Sequence, residues 1–146
     1  MQSYKILFSL LVAFFVATTL FAQNSPVGVW KTIDDETGKA KSHVEIYEQG
    51  GKYFGKVSKL LLKPADTICD ECTGSKKDKP VVGMVIVENL APYKDYWKGG
   101  TILDPANGSE YGCSIWFEDK NFDKLYVRGK RWTGLFRTQN WFRVGE

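Results

Sequence analysis

Residues 99–144 read GGTILDPANGSEYGCSIWFEDKNFDKLYVRGKRWTGLFRTQNWFRV, and this stretch decides the fold class. Short runs of apolar and aromatic residues, such as 111–118 and 124–129, are separated by turn-forming residues. Runs of this length without helical spacing predict β-strands. At residues 104–108, Pro follows Asp and Gly follows Asn, which predicts a hairpin loop rather than a calcium site. The stretch therefore predicts consecutive antiparallel strands.

The same pattern of short apolar runs separated by turns extends toward the N-terminus. Residues 91–98 are predicted as a short helical turn or an irregular crossing. The predicted strands are 28–33, 42–48, 53–62, 81–88, 99–103, 111–118, 124–129, 134–138 and 140–144. About eight to ten strands joined by short turns favour a small closed antiparallel β-barrel, because closure removes exposed edges. Such a barrel has room for side chains or one small ligand. An open two-sheet sandwich is the structural alternative.

The N-terminus has the pattern of a secretory signal peptide. Lys5 is followed by an apolar run over residues 6–16 and by Ala22 before a polar start. The run is shorter than the roughly 20 residues that a membrane span requires. We expect residues 1–22 to be cleaved and residues 23–146 to form a single exported domain, periplasmic or extracellular, that does not span the membrane.

Charge argues against a nucleic-acid partner. The chain has 20 Lys and Arg against 17 Asp and Glu, and the basic residues are scattered. Nucleic-acid-binding domains concentrate positive charge on one face. Five Trp and 14 Gly match an all-β composition instead.

Few residues are candidates for chemistry. His43 is the only histidine, and its place in an alternating strand favours a solvent-facing side chain over catalysis. Cys69 and Cys72 lie in a long polar loop, residues 63–80. A local disulfide, a redox pair, a zinc site completed by Cys113 and His43, and pairing of the loop with Cys113 are all compatible with the spacing. The disulfide is preferred, and no metal or cofactor is expected.

Gly28-x-Trp30 on the first strand and Arg143 on the last resemble the lipocalin and fatty-acid-binding superfamily. The resemblance implies a lipocalin-like barrel in which the Trp packs beneath the Arg at the closed end. Trp30 and Arg143 are therefore expected to form barrel-closure packing.

A second resemblance covers nearly all of residues 23–146. The chain resembles the bacterial envelope family called domain of unknown function 2147. The motifs that carry it are GVW at 28–30, GKV at 55–57, KPVVG at 79–83, GGTILDP at 99–105, Asn107-Gly108-x-x-Tyr111, Leu125-x-Val127-Arg128-Gly129 and Arg137-Thr138-Gln139-x-Trp141-x-Arg143. It implies a secreted or periplasmic β-barrel domain and no established activity. This chain departs from the family in its middle loop, where Lys79 stands in place of an Arg and where the cysteine pair is not general.

These observations lead to one preferred function and two alternatives. The preferred function is non-catalytic binding of a small or apolar ligand by the barrel. Aromatic or amphipathic strand residues are the predicted ligand contacts: Tyr47, Tyr53, Trp116, Tyr126 and Arg128. One alternative is an envelope protein-interaction or structural module that uses residues 63–80 and the aromatic cluster Tyr93, Tyr96 and Trp97. The other is a cysteine-based metal or redox protein.

Overall fold

Eight antiparallel strands close into a single barrel in the structure, a computed structural model that describes residues 24–145. Each strand pairs with its neighbour in sequence, and β1 closes the barrel against β8 through Trp30 and Arg143. The strands are β1 Gly28–Ile33, β2 Ala40–Gln49, β3 Lys52–Leu60, β4 Val85–Tyr93, β5 Tyr96–Asp104, β6 Ser109–Trp116, β7 Lys124–Lys130 and β8 Phe136–Arg143. The predicted closed barrel is confirmed. The predicted signal peptide, residues 1–22, lies outside the described residues and stays a prediction.

Several details of the predicted strands were wrong. The strand predicted at residues 81–88 is β4, which begins at Val85 and continues to Tyr93. Residues 91–98 are not a helical turn or a crossing but the β4–β5 hairpin, in which Tyr93 pairs with Tyr96. Lys94 has a φ of 54° in this turn, a conformation that glycine usually adopts. Because the residue is a lysine, the sequence did not indicate a hairpin turn at this position. Residues 134–138 and 140–144 were predicted as two strands but belong to one, β8, which pairs with β7 from Phe136 to Phe142.

The strand connections divide the barrel into two ends. The β1–β2, β5–β6 and β7–β8 connections lie at one end together with residues 61–84, which we call the long connection. This is the open end. The β2–β3, β4–β5 and β6–β7 connections lie at the other, closed end, where the chain also enters β1. Among residues 24–145, no helix is long and apolar enough to cross a membrane.

Side chains alternate between the barrel interior and its outer surface, as the strand period of two requires. In β2 the buried positions are Ser42, Val44 and Ile46, and in β7 they are Leu125 and Val127. The half of the interior near the closed end is filled by large, fully buried side chains: Trp30, Ile46, Leu90, Ile115 and Leu125. None of these lines the cavity in the other half.

Candidate functional site

A cavity of about 570 Å³ occupies the half of the barrel near the open end. Its inner wall is apolar and comes from strands around the barrel, with Val57, Ile86, Ile102, Val127 and Trp141 among its residues. Val57, Ile102, Val127 and Trp141 occupy the inward phase of their strands. Ile86 lies at an irregularity in the β3–β4 pairing, where both Ile86 and Val87 are buried. The arrangement is a hydrophobic chamber of the size that small-molecule sites have in other proteins.

Polar groups in the chamber are already hydrogen-bonded to the protein. The hydroxyls of Thr32 and Ser42 lie 2.7 Å apart. Trp141 Nε1 donates to Gln139 Oε1 at 3.3 Å, and Gln139 Nε2 donates to Asp35 Oδ2 at 2.6 Å. No buried side-chain N or O atom in the described residues lacks a hydrogen-bond partner. The inner wall therefore favours apolar contents.

The mouth of the cavity is charged. Lys41, Lys63, Arg131 and Arg137 line it, along with two carboxylates, Asp70 and Asp104. Lys41 Nζ lies 3.9 Å from Asp104 Oδ1. Arg137 Nη2 is 2.5 Å from Asp35 Oδ2. Within residues 24–145, Lys63, Arg131 and Asp70 have no oppositely charged group within ion-pair distance, and the two cations outnumber the one carboxylate, so the mouth carries net positive charge.

Tyr111 at the mouth shows the effect of this positive charge. The Arg131 guanidinium lies 5.6 Å from the centre of its ring. Hydrogen bonding from Arg131 and then from Ser109 lowers the pKa of the Tyr111 phenol. Arg131 therefore favours the ionised form of the Tyr111 phenol.

The long connection forms part of the cavity wall. Ile68 pairs with Pro80, and the Cys69 N–H donates to the Lys79 carbonyl at 2.8 Å, so the segment folds back on itself. The Sγ atoms of Cys69 and Cys72 are at disulfide bonding distance. Both cysteines are buried, and Cys69 Sγ contacts the Pro105 carbonyl at 3.4 Å. The connection is thereby held against the β5–β6 turn, which is the hairpin predicted at residues 104–108.

An aromatic cluster fills the closed end. The Phe117 ring centre lies 6.0 Å from that of Trp30, 6.0 Å from that of Trp97 and 5.3 Å from that of Phe122. Trp97 in turn contacts Tyr53 edge-on, with ring centres 5.8 Å apart. The cavity therefore has a floor, and its exit is at the open end.

The Arg143 side chain packs on this cluster at the closed end of the barrel. Its guanidinium lies 4.3 Å from the centre of the Trp30 ring. It donates to the carbonyl oxygens of Phe122, Val27 and Ser25 at 3.0, 3.1 and 3.2 Å. Burial lowers the pKa of Arg143, and Asp123 opposes that shift. These contacts join the chain entering β1 to the β6–β7 connection.

None of the five predicted ligand contacts lines the cavity. Tyr47, Trp116, Tyr126 and Arg128 occupy the outward phase of their strands, where Trp116 stacks on Tyr126 with ring centres 5.6 Å apart. Tyr53 has the inward phase but packs in the closed-end cluster. The five were chosen for their chemistry, whereas the strand phase decides which side chains face inward. Leu125 and Val127, which alternate with Tyr126 and Arg128, form the inward face of β7, and Val127 lines the cavity.

The remaining candidates are distributed elsewhere. His43 lies on the outer face of β2, where desolvation first, then Lys59 and Lys31, lower its pKa. Cys113 is buried, and desolvation raises the pKa of its thiol to about 12. Within residues 24–145, no group of three or more His, Cys, Asp or Glu side chains is placed to hold a metal ion. The aromatic cluster predicted at Tyr93, Tyr96 and Trp97 is split, because Trp97 packs inward while Tyr93 and Tyr96 pair with each other.

Comparison with known proteins agrees with this architecture. A solved structure from the human pathogen Helicobacter pylori, described as a protein that belongs to the lipocalin family, superposes with a TM-score of 0.71. It is 18% identical in sequence, and the match covers 84% of each chain, so the likeness shows a shared fold. None of the curated proteins compared with the sequence matches it. The family model described as "uncharacterized protein conserved in bacteria (DUF2147)" matches residues 28–143, and the chain therefore belongs to that family.

Proposed function

We propose that this protein is an exported, non-catalytic barrel that binds one small amphipathic ligand. The observation that carries the proposal is the cavity of about 570 Å³, which has an apolar inner wall and lies at the open end of the barrel. Burial of apolar surface in a preformed chamber is the main driving force for binding of this kind. The apolar part of the ligand occupies the chamber, and its polar end remains at the mouth.

The positive charge at the cavity mouth determines which kind of polar group the ligand carries there. Lys63 and Arg131 line the exit without a carboxylate partner among the described residues. A negatively charged or strongly hydrogen-bond-accepting group at this position neutralises them. We therefore favour an anionic amphiphile over a wholly apolar ligand.

Two observations support the absence of catalysis. The Cys113 thiol, whose pKa is raised to about 12 by burial, is protonated at neutral pH and is a poor nucleophile. His43, the only histidine, lies on the outer face of the barrel, away from the chamber.

The pairing of Cys69 with Cys72 supports an oxidising compartment and hence export.

Native mass spectrometry tests the proposal. Protein purified gently from the producing cell is expected to carry one small molecule per chain, which organic extraction removes. The stripped protein should bind an anionic amphiphilic probe, and Lys63→Gln should weaken that binding by roughly threefold to tenfold. Lys98→Gln, at the closed end, is the matched control and should have no effect. Failure of the stripped protein to bind any amphiphile would refute the proposal.

A further inference from the structure

The β7–β8 loop, residues 130–137, is the most exposed apolar feature of the described chain. It reads KRWTGLFR, and all eight of its residues are exposed. Trp132 is 97% exposed, Leu135 70% and Phe136 60%. Large apolar side chains clustered on a surface in this way mark an interaction site.

The loop is a structured projection. The Arg131 N–H donates to the Leu135 carbonyl at 2.8 Å, and the Gly134 N–H donates to the Arg131 carbonyl at 3.0 Å. Gly134 has a φ of 90°, which allows the tight turn. The strands on either side pair in register up to Lys130 and Phe136. Trp132 therefore lies at the apex of a hairpin, with its side chain in solvent.

Cations surround the apolar apex. Lys130 and Arg131 precede Trp132, and Arg137 follows Phe136. Arg137 is paired with Asp35 at 2.5 Å. No carboxylate of residues 24–145 is within ion-pair distance of Lys130 or Arg131, and residues 130–137 contain no acidic side chain. The apex therefore combines an exposed indole and an aliphatic side chain with net positive charge.

We propose that the β7–β8 loop docks on the surface of an anionic phospholipid bilayer. Trp132 and Leu135 enter the headgroup region, where the amphipathic indole is favoured. Lys130 and Arg131 contact lipid phosphates and are attracted by the negative surface potential. A second copy of the chain fits less well, because a two-fold contact would bring the same cations of both copies together.

Docking in this orientation places the cavity mouth at the bilayer. Leu135 and Phe136 line the cavity as well as the exposed loop. Ile68 of the long connection also lines the cavity and is 46% exposed. A ligand could thus pass between bilayer and chamber without crossing open water. The docking itself does not depend on whether the chamber holds a ligand.

Sedimentation with lipid vesicles tests the docking. The purified protein is mixed with vesicles of equal parts phosphatidylcholine and phosphatidylglycerol, or of phosphatidylcholine alone. We expect binding to the anionic vesicles that falls with added salt, and a reduction of about tenfold in Trp132→Ala. The double change Lys130→Gln and Arg131→Gln should weaken binding to anionic vesicles and reduce its dependence on salt.

Tyr93→Ala is the matched control. Tyr93 is 42% exposed at the closed end, and Lys98 Nζ lies 3.6 Å from its ring centre, so it is also an aromatic beside a cation. Its replacement should leave vesicle binding unchanged. Because Trp132 is exposed, Trp132→Ala should retain the wild-type circular dichroism spectrum. Wild-type protein that binds neither vesicle, or Trp132→Ala that binds like wild type, overturns the proposal. So does a wild-type dimer that Trp132→Ala converts to a monomer without any vesicle binding.

Discussion

Arg143 is the single residue that connects the most parts of the closed end. It covers the ring of Trp30 and bonds three backbone carbonyls on both sides of the barrel seam. A cation over a buried indole and hydrogen bonds to otherwise unpaired carbonyls each contribute to folding. Its role is therefore structural, at the end of the barrel opposite the cavity mouth.

Replacement of Arg143 should destabilise the fold without changing the mouth of the cavity. We expect Arg143→Ala to lower the free energy of unfolding by about 2 kcal/mol in urea titrations, because three carbonyls lose their donor. Arg137→Ala removes an arginine whose side chain is 67% exposed, and should cost less than about 1 kcal/mol. Equal losses for the two variants would contradict this role for Arg143.

Cys113 should make stability depend on pH at the alkaline end. Its pKa is raised from 9.0 to about 12 by burial, so the unfolded thiol ionises first as pH rises. The unfolded state then binds fewer protons, and stability falls between about pH 9 and pH 12. The slope should be at most about 1.4 kcal/mol per pH unit. Unfolding of wild type and Cys113→Ala at pH 8, 9 and 10 checks this: only the wild type should show the extra slope, and parallel curves would contradict it.

At the scale of residues, the sequence separates the two faces of a strand but does not show which face points into the barrel. The alternation of Leu125 and Val127 with Tyr126 and Arg128 separates the two faces of β7. Which face is inside depends on pairing around the closed barrel, and a single strand does not contain that information. Tyr126 and Arg128 have side chains suited to ligand binding, but they lie on the outer face of β7. A choice based on side-chain type alone therefore named residues outside the barrel interior.

At the scale of elements, the long connection is the part that the sequence described least. Its composition predicted a loop, and the loop is one, but its attachment to the β5–β6 turn arises from tertiary contacts. A Cβ at Gly108 would overlap the carbonyl oxygen of Glu71, so the two segments meet backbone to backbone. A contact between segments so far apart in the chain leaves no local pattern in either one.

Gly108 therefore offers a test of that attachment. Gly108→Ala should cost about 2–4 kcal/mol in urea unfolding, because it adds a clash to the strain of a φ of 71°. Gly38→Ala has nearly the same φ, 70°, but nothing lies within 4 Å of the added Cβ, so it should cost only about 1 kcal/mol. Gly108→Ala should also become more sensitive to proteolysis within residues 61–84. Identical losses in the two variants would show that the backbone contact is not formed.

The whole molecule is a barrel with one packed half and one hollow half. The approximate strand count and the closure of the barrel could be predicted from short runs and turns, since these are local signals. The packing of Trp30 with Arg143 was expected only from the resemblance to lipocalins. The cavity could not, because its volume depends on how side chains from every strand meet in the interior. The division explains how one chain combines a stable floor of large aromatics with an open chamber.

Calorimetric titration of the stripped protein with 1-anilinonaphthalene-8-sulfonate, an anionic amphiphile, tests the central claim most directly. We predict one site per chain. Val127→Phe and Ile86→Phe, which fill the chamber from different strands, should each weaken binding at least about tenfold if circular dichroism shows that they fold. Trp116→Ala, on the outer face, should bind like wild type. Unchanged binding in both filling variants, or loss of binding in Trp116→Ala, would contradict a ligand site inside the barrel.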